Sequence, residues 1–281
     1  MSWPARVLKP VSDLLAPVIG ARAADAFHEF LVFGVKQALA CAFAGSFLFL
    51  LVISGHLTIP GLARYDFLFL GAIAIQLALI GLRLETWREA AVLSLFHAIG
   101  MALELFKTSA EVARGAIPSR HFRIGTVPLY SGFMYAAVAS YIMQAWRIQD
   151  LRMTKFPNLW LAVGLSAAIY ANFFTNHYVA DVRWFLAAAV LVTFRKTWVH
   201  FTVVTAERKM PLVLAFVLIR FFIWVAENVA TFFGAWVYPQ QEQQWAIVGL
   251  NKISSWMLLV IISVIIVAAL KQVFPTRRAK P

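Results

Sequence analysis

Eight apolar stretches, each about as long as a bilayer is thick, leave this chain few architectures. A helix needs roughly 20 mainly apolar residues to cross the hydrocarbon, with a range of about 17–25. The stretches cover 35–54, 66–82, 90–106, 127–146, 157–175, 182–198, 211–236 and 253–270. Backbone polar groups in lipid must be paired within their own segment, so such runs read as helices. The balance of residues agrees: 62% are hydrophobic and 14% charged, against roughly 45–50% and about 25% in soluble domains. The expected fold is all-α, a polytopic transmembrane helical bundle of about eight spans. The sixth stretch is cut short by Arg195 and Lys196 and followed by the apolar VHFTVV. A helix running on to about Val204 is the alternative there.

The net charge is +12, from 25 Lys+Arg against 13 Asp+Glu. The basic residues lie in short loops, not on a helix interleaved with aromatics. They read as topology signals and anionic-lipid contacts, and no nucleic-acid partner is expected. With the N-terminus in the cytoplasm, sixteen Lys/Arg fall on inner segments and six on outer loops. Both termini are therefore expected inside. The exception is 107–126, with four basic residues on the outer side, which is expected to dock back on the protein. Residues 1–32 read as a cytoplasmic or interfacial segment with an apolar stripe at Val11, Leu14, Leu15, Val18 and Ile19. Residues 33–271 form one transmembrane domain, and 272–281 a basic cytoplasmic tail.

The lone Cys41 excludes an intrachain disulfide. The chain has no phosphate-binding loop, dinucleotide fingerprint or Gly-x-Ser-x-Gly elbow. It also lacks any His-x-x-His or His-Glu-x-x-His pair. No cofactor and no metal is expected.

Ionised groups inside a span cost at least about 2.5–3.5 kcal/mol each, so they mark sites or helix contacts. IRFFIWVAENVATFFGAWVYP, Ile219 to Pro239, carries Arg220, Trp224, Glu227 and Asn228 on one helical face. In the third stretch His97, Met101, Glu104 and Lys107 share a face in the same way. The fifth ends in Asn172, Asn176, His177, Asp181 and Arg183, and the fourth opens with Tyr130, Ser131 and Tyr135. Trp236, and Lys252 at the start of the eighth, lie at a similar level. All converge on one outer-leaflet layer. Glu104, Glu227 and His97 are the candidate acid/base groups. Arg220, Asn228, Lys107, Asn172, Asn176, His177, Tyr130, Trp236 and Lys252 are the candidate substrate contacts. The bland alternative is a buried ion pair, interhelical hydrogen bonds and snorkelling cations. Gln76, Lys36 and Gln37 stand isolated and carry no expectation.

Shifted by about 123 residues, the chain overlies itself. His97 falls on Arg220, Glu104 on Glu227, and LFHAIGMALELF on LIRFFIWVAENV. A 4+4 parallel repeat follows as an expectation, with a pseudo-two-fold relating the third and seventh helices.

LRLETWREA, LFHAIGMALELFK, VPLYSGFMYAAVASYI, NFFTNHY and IWVAENVATFFGAWVYP together resemble an uncharacterised bacterial integral-membrane family, the YoaT-like family of unknown function. The resemblance runs from about Phe27 to Val273. It implies a membrane protein of about eight helices, in the bacterial cytoplasmic (inner) membrane, and no activity. A fainter resemblance is to membrane carotenoid hydratases and lycopene cyclases, carried by Glu227, Gly234, Trp236 and Tyr238. Glu104 matches only the acidic element, since SAEVARGAIP lacks the aromatics. It implies protonation of a C=C bond by a carboxylic acid, with aromatic rings stabilising the cation. The residues thus fit acid/base chemistry on a lipid or isoprenoid, a small-solute or proton transporter, or a non-catalytic scaffold. Membrane lipids are the expected partners.

Overall fold

The computed structural model describes residues 3–109, 122–125, 127–175, 179–234, 241, 243–249 and 253–273. Helix α1 (Trp3–Ile19) buries Pro4, Ala5 and Ser12 and exposes Trp3, Val7, Val11, Leu14 and Val18. Gly20 turns the chain at φ 84°, a conformation that costs glycine nothing. Next come α2 (Ala21–Ala40) and α3 (Ala42–Ser54), bent by 65° at Cys41. Then follow α4 (Arg64–Gly81), α5 (Trp87–Ser109), β1 (Arg123–Ile124), β2 (Val127–Pro128) and α6 (Ser131–Ile148). The order continues with β3 (Arg152–Thr154), α7 (Leu159–Thr175), α8 (Arg183–Phe194), β4 (Trp198–Thr202), β5 (Glu207–Pro211), α9 (Leu212–Phe232) and α10 (Ile253–Val273).

Among the described residues, three helices are long and apolar enough to cross a membrane: α4, the Trp87–Phe106 part of α5, and α9. The bent α2–α3 pair makes a fourth if counted as one span. α7, α8 and α10 contribute shorter apolar stretches among the described residues. α6 is different. It is the post on which α5, α2, α3 and α10 all pack. Its small residues admit close neighbours, as is usual where helices meet without water to drive them together. A Cβ on Gly132 would lie 2.6 Å from the backbone oxygen of His97, and one on Gly100 of α5 would lie 2.5 Å from the Tyr135 ring. Interior position also explains why α6 tolerates the buried Ser131, Ser140 and Gln144.

Two sets of four helices share three of their contacts. In the quartet α2/α3, α4, α5, α6, the first helix packs on the second and the fourth, and the third packs on the fourth. In α7, α8, α9, α10 the same three pairs touch. Phe43, Phe47 and Phe69 surround Phe133 at 6.1–6.2 Å between ring centres, in the offset and tilted arrangements aromatic pairs prefer.

The expected all-helical chain is corrected at one end of the bundle. VHFTVV does not extend the sixth helix to Val204. α8 stops at Phe194, and Trp198–Thr202 is the middle strand of an antiparallel sheet, order β3-β4-β5. Val199 pairs with Met153 and Met210, and His200 with Arg152 and Lys209. The β-branched and aromatic residues that read as helix suit a strand once partners exist on both sides. The sheet is tied to the helices. Arg208 Nε donates to Glu29 Oε1 at 2.8 Å, and Lys36 Nζ donates to the Thr202 carbonyl at 2.9 Å. At the far end, the described part of 107–126 folds back: the Phe122 amide donates to Asp66 Oδ1 at 3.0 Å, and its ring meets Phe69 at 5.2 Å.

Candidate functional site

Among the described residues, Glu104 lies between α5 and α6, and Arg220 and Glu227 lie on α9. Between α5 and α6, the Tyr135 hydroxyl donates to Glu104 Oε1 at 2.6 Å. His97 lies two turns nearer the sheet end, its ring 4.4 Å from that of Phe133, and its buried Nδ1 makes no hydrogen bond. On α9, Arg220 and Glu227 are each 3% exposed, seven residues apart. α5 packs chiefly on α6, and α9 on α10.

Asn228 and Trp224 form a clip. The Trp224 indole N–H donates to the Val248 carbonyl at 3.0 Å, and the Val248 amide donates to Asn228 Oδ1 at 2.9 Å. The Asn228 amide group also donates to Trp224 O, and the Trp245 indole reaches Thr231 Oγ1 at 3.2 Å. The segment 243–249 is thus pinned along α9. Asn172 does similar work at the α7–α8 turn, donating to Asp181 Oδ1 at 3.1 Å and accepting from the Val182 amide at 2.9 Å. Burial pushes the Asp181 carboxyl up. The bonds from Asn172 and from the Arg183 amide and guanidinium outweigh it and hold the group below its ordinary value. Tyr130 is buried against Tyr65, ring centres 4.9 Å apart. Lys107 lies in α5 with its side chain outside the described set, and Asn176, His177, Trp236 and Lys252 lie outside the described residues. Among the described residues no three His, Cys, Asp or Glu gather as a metal site would require.

A second polar cluster, unforeseen from sequence, lies at the sheet end. Glu85 is 3% exposed and accepts from Ser140 Oγ at 2.7 Å and from the Gln76 amide. Thr86 and Glu89 form a capping box at the start of α5: the Thr86 amide donates to Glu89 Oε2 at 2.8 Å, and the Glu89 amide to Thr86 Oγ1 at 3.3 Å. Gln144 and Arg147 of α6 both donate to the Leu84 carbonyl, and Arg147 stands 3.6 Å from Glu89. Lys271 of α10 is near enough to feel both charges. Beside this cluster is a cavity of about 320 Å³ lined by Lys36, Arg83, Glu85, Gln144 and Arg147, with walls from Leu39, Leu79 and Ile148 and a cover from Trp3 and Pro4. An apolar groove of about 220 Å³ lies beside Gln76, between α4 and α5. Neither hollow is lined by Glu104 or Glu227. Two signals for this cluster stood in the sequence: the Thr-x-x-Glu before an apolar run, and Ser140, Gln144 and Arg147 at i, i+4, i+7.

The profile of the family described as "Protein of unknown function (DUF817)" matches residues 29–264. The chain belongs to the DUF817 family. It is also 49% identical over 249 residues to "Uncharacterized protein YoaT" of Bacillus subtilis (strain 168), covering 88% of this chain and 94% of that one. No solved structure matches. The DUF817 match takes in both polar clusters and leaves α1 outside it.

Proposed function

We propose that this DUF817 protein is a multi-pass protein of the cytoplasmic membrane that performs acid/base chemistry on a lipid or isoprenoid, with Glu104 as the proton donor. In this reading α2–α3 count as one of about eight spans, and the sheet end faces the cytoplasm. Exposed Phe49, Leu70, Trp184, Phe185, Phe221 and Phe222 support a lipid-facing surface. Arg152, Lys155, Arg195, Lys196, Arg208 and Lys209, in and beside the sheet, support the orientation. The shared contact pattern of the two quartets supports the 4+4 parallel repeat.

One observation carries the chemistry: the Tyr135 hydroxyl on Glu104 inside an apolar interface. A hydroxyl donating to Glu104 Oε1 would stabilise the carboxylate left when that side chain gives up a proton. Proton transfer to an unsaturated or oxygen-bearing carbon skeleton fits that pair. Glu227 serves as a second candidate acid on the equivalent helix. The test compares lipid and isoprenoid profiles of cells lacking the gene after return of the wild type, Glu104→Gln, Tyr135→Phe or Glu227→Gln. Glu104→Gln should give the profile of the deletion. A fully restored profile with that variant sinks the reading. The quartet arrangement also suits a transporter, and solute uptake into proteoliposomes that survives Glu104→Gln would favour it.

A further inference from the structure

The sheet-end cavity holds more positive charge than its surroundings balance. Lys36 is 6% exposed. Its ammonium is fixed by the neutral Thr202 carbonyl, and among the described residues no carboxylate comes within ion-pair distance of it. A buried charge ordinarily finds a partner of opposite sign, because leaving water costs it several kcal/mol. Two further cations line the same space. Arg147 is shared with Glu89 and the Leu84 carbonyl. Arg83 stands at φ 59°, a left-handed position that side chains rarely take, in the turn where the Arg83 amide bonds Ile80 O and the Leu84 amide bonds Leu79 O. That turn sets residue 83 at the rim of the cavity. The one acid in the lining, Glu85, is already engaged by Ser140 and Gln76.

The rest of the lining is apolar: Leu39, Ala42, Leu79, Leu84 and Ile148, covered by Trp3 and Pro4. α1, which supplies the cover, exposes an apolar stripe through Val7, Val11, Leu14 and Val18. That stripe suits a helix lying at headgroup depth. The hollow therefore combines cationic groups with greasy walls at the level of a membrane surface, and its volume falls at the lower end of ordinary ligand pockets.

We infer that this cavity binds the phosphate of an amphiphile, with Lys36 and Arg83 as its counter-charges and Leu39, Leu79 and Ile148 holding the first part of the apolar tail. The phosphate comes either from a bilayer phospholipid or from a single-chain prenyl phosphate. Lys36 is a point charge on a buried stem, suited to one phosphate oxygen, and the Arg83 fork suits two. The site is separate from Glu104 and stands whether or not Glu104 does chemistry.

The test is binding to the full-length protein in uncharged detergent, read by native mass spectrometry and by thermal shift. The probes are farnesyl phosphate, dioleoyl phosphatidic acid, inorganic phosphate and uncharged farnesol. The variants are Lys36→Met and Arg83→Asn, asparagine being at ease in the left-handed region. Glu104→Gln serves as the control that keeps the site. Farnesyl phosphate or phosphatidic acid should bind at least tenfold more tightly than farnesol, and each variant should weaken that binding at least tenfold. A preference for farnesyl phosphate names a prenyl source, and a preference for phosphatidic acid names the bilayer. If Lys36→Met fails to fold, Arg83→Asn carries the decision. The inference falls if farnesol binds as well as its phosphate, if the variants bind like the wild type, or if no phosphate-bearing probe binds. Inorganic phosphate binding as tightly as either amphiphile would overturn the role given to the apolar walls.

Discussion

Replacing Gly132 with alanine drives a methyl group into the backbone of α5. The new Cβ would sit 2.6 Å from the His97 carbonyl oxygen, 2.7 Å from its Nδ1 and 2.9 Å from its Cε1. A backbone carbonyl in a helix cannot step aside, so the two helices must part. Overpacking typically costs about 1–3 kcal/mol, and a backbone obstacle puts this case at the upper end. Alanine returns up to about 1 kcal/mol of helix propensity. The net expectation is a loss of about 2 kcal/mol. Two comparisons come from the same fold. Gly71→Ala meets only the Leu50 side chain, nearest at Cδ2, 2.5 Å away, and a rotamer change relieves it, so a change near zero is expected. Gly34→Ala and Gly45→Ala meet nothing within 4 Å and should be neutral or stabilising by up to about 1 kcal/mol. Denaturant unfolding in one fixed detergent, followed by tryptophan fluorescence, ranks the four. Gly132→Ala should also disturb lipid profiles through the displaced Glu104–Tyr135 pair. Gly132→Ala within about 0.5 kcal/mol of Gly34→Ala would refute the close approach of α5 to α6.

Tyr135→Phe should cost about 1 kcal/mol in the same unfolding assay, because it removes one hydrogen bond to the half-buried Glu104 carboxyl. Asn228→Leu should free the 243–249 segment, read as faster protease cleavage there with the remaining bundle intact. Arg83→Gly should raise stability by about 1 kcal/mol by relieving the left-handed residue, while lowering affinity for farnesyl phosphate; a destabilised variant would contradict the strain. Asp181→Asn should lower the melting temperature by a constant amount above the ordinary carboxylate range, about pH 4. Because the native carboxyl sits below its ordinary value, that difference should close as pH falls through the depressed value.

Much of the architecture was legible in single stretches. α4, α5 and α9 fall where long apolar runs predict them, and α1 carries the apolar stripe expected of 1–32. The strand β4 was not legible, since Val199 and Phe201 look alike to a helix and to a sheet until β3 and β5 arrive beside them. At the candidate site the spacing of His97 and Glu104 set both on α5, and the structure added the donor, Tyr135, from α6. Asn228 and Asn172 were legible as polar groups, yet both are spent on backbone partners far along the chain or across a turn.

Sequence by itself determined the local facts: which segments are apolar enough to be helices, where Lys and Arg gather, and which helices carry acids they would not otherwise tolerate. Those follow from solvation of individual groups, which each residue brings with it. Only the tertiary structure decided which polar groups meet. Gln76, Lys36 and Gln37 looked isolated because their partners Glu85, Thr202 and Tyr141 are set by packing around α6. A buried polar residue declares that it needs a partner, and the fold alone names it.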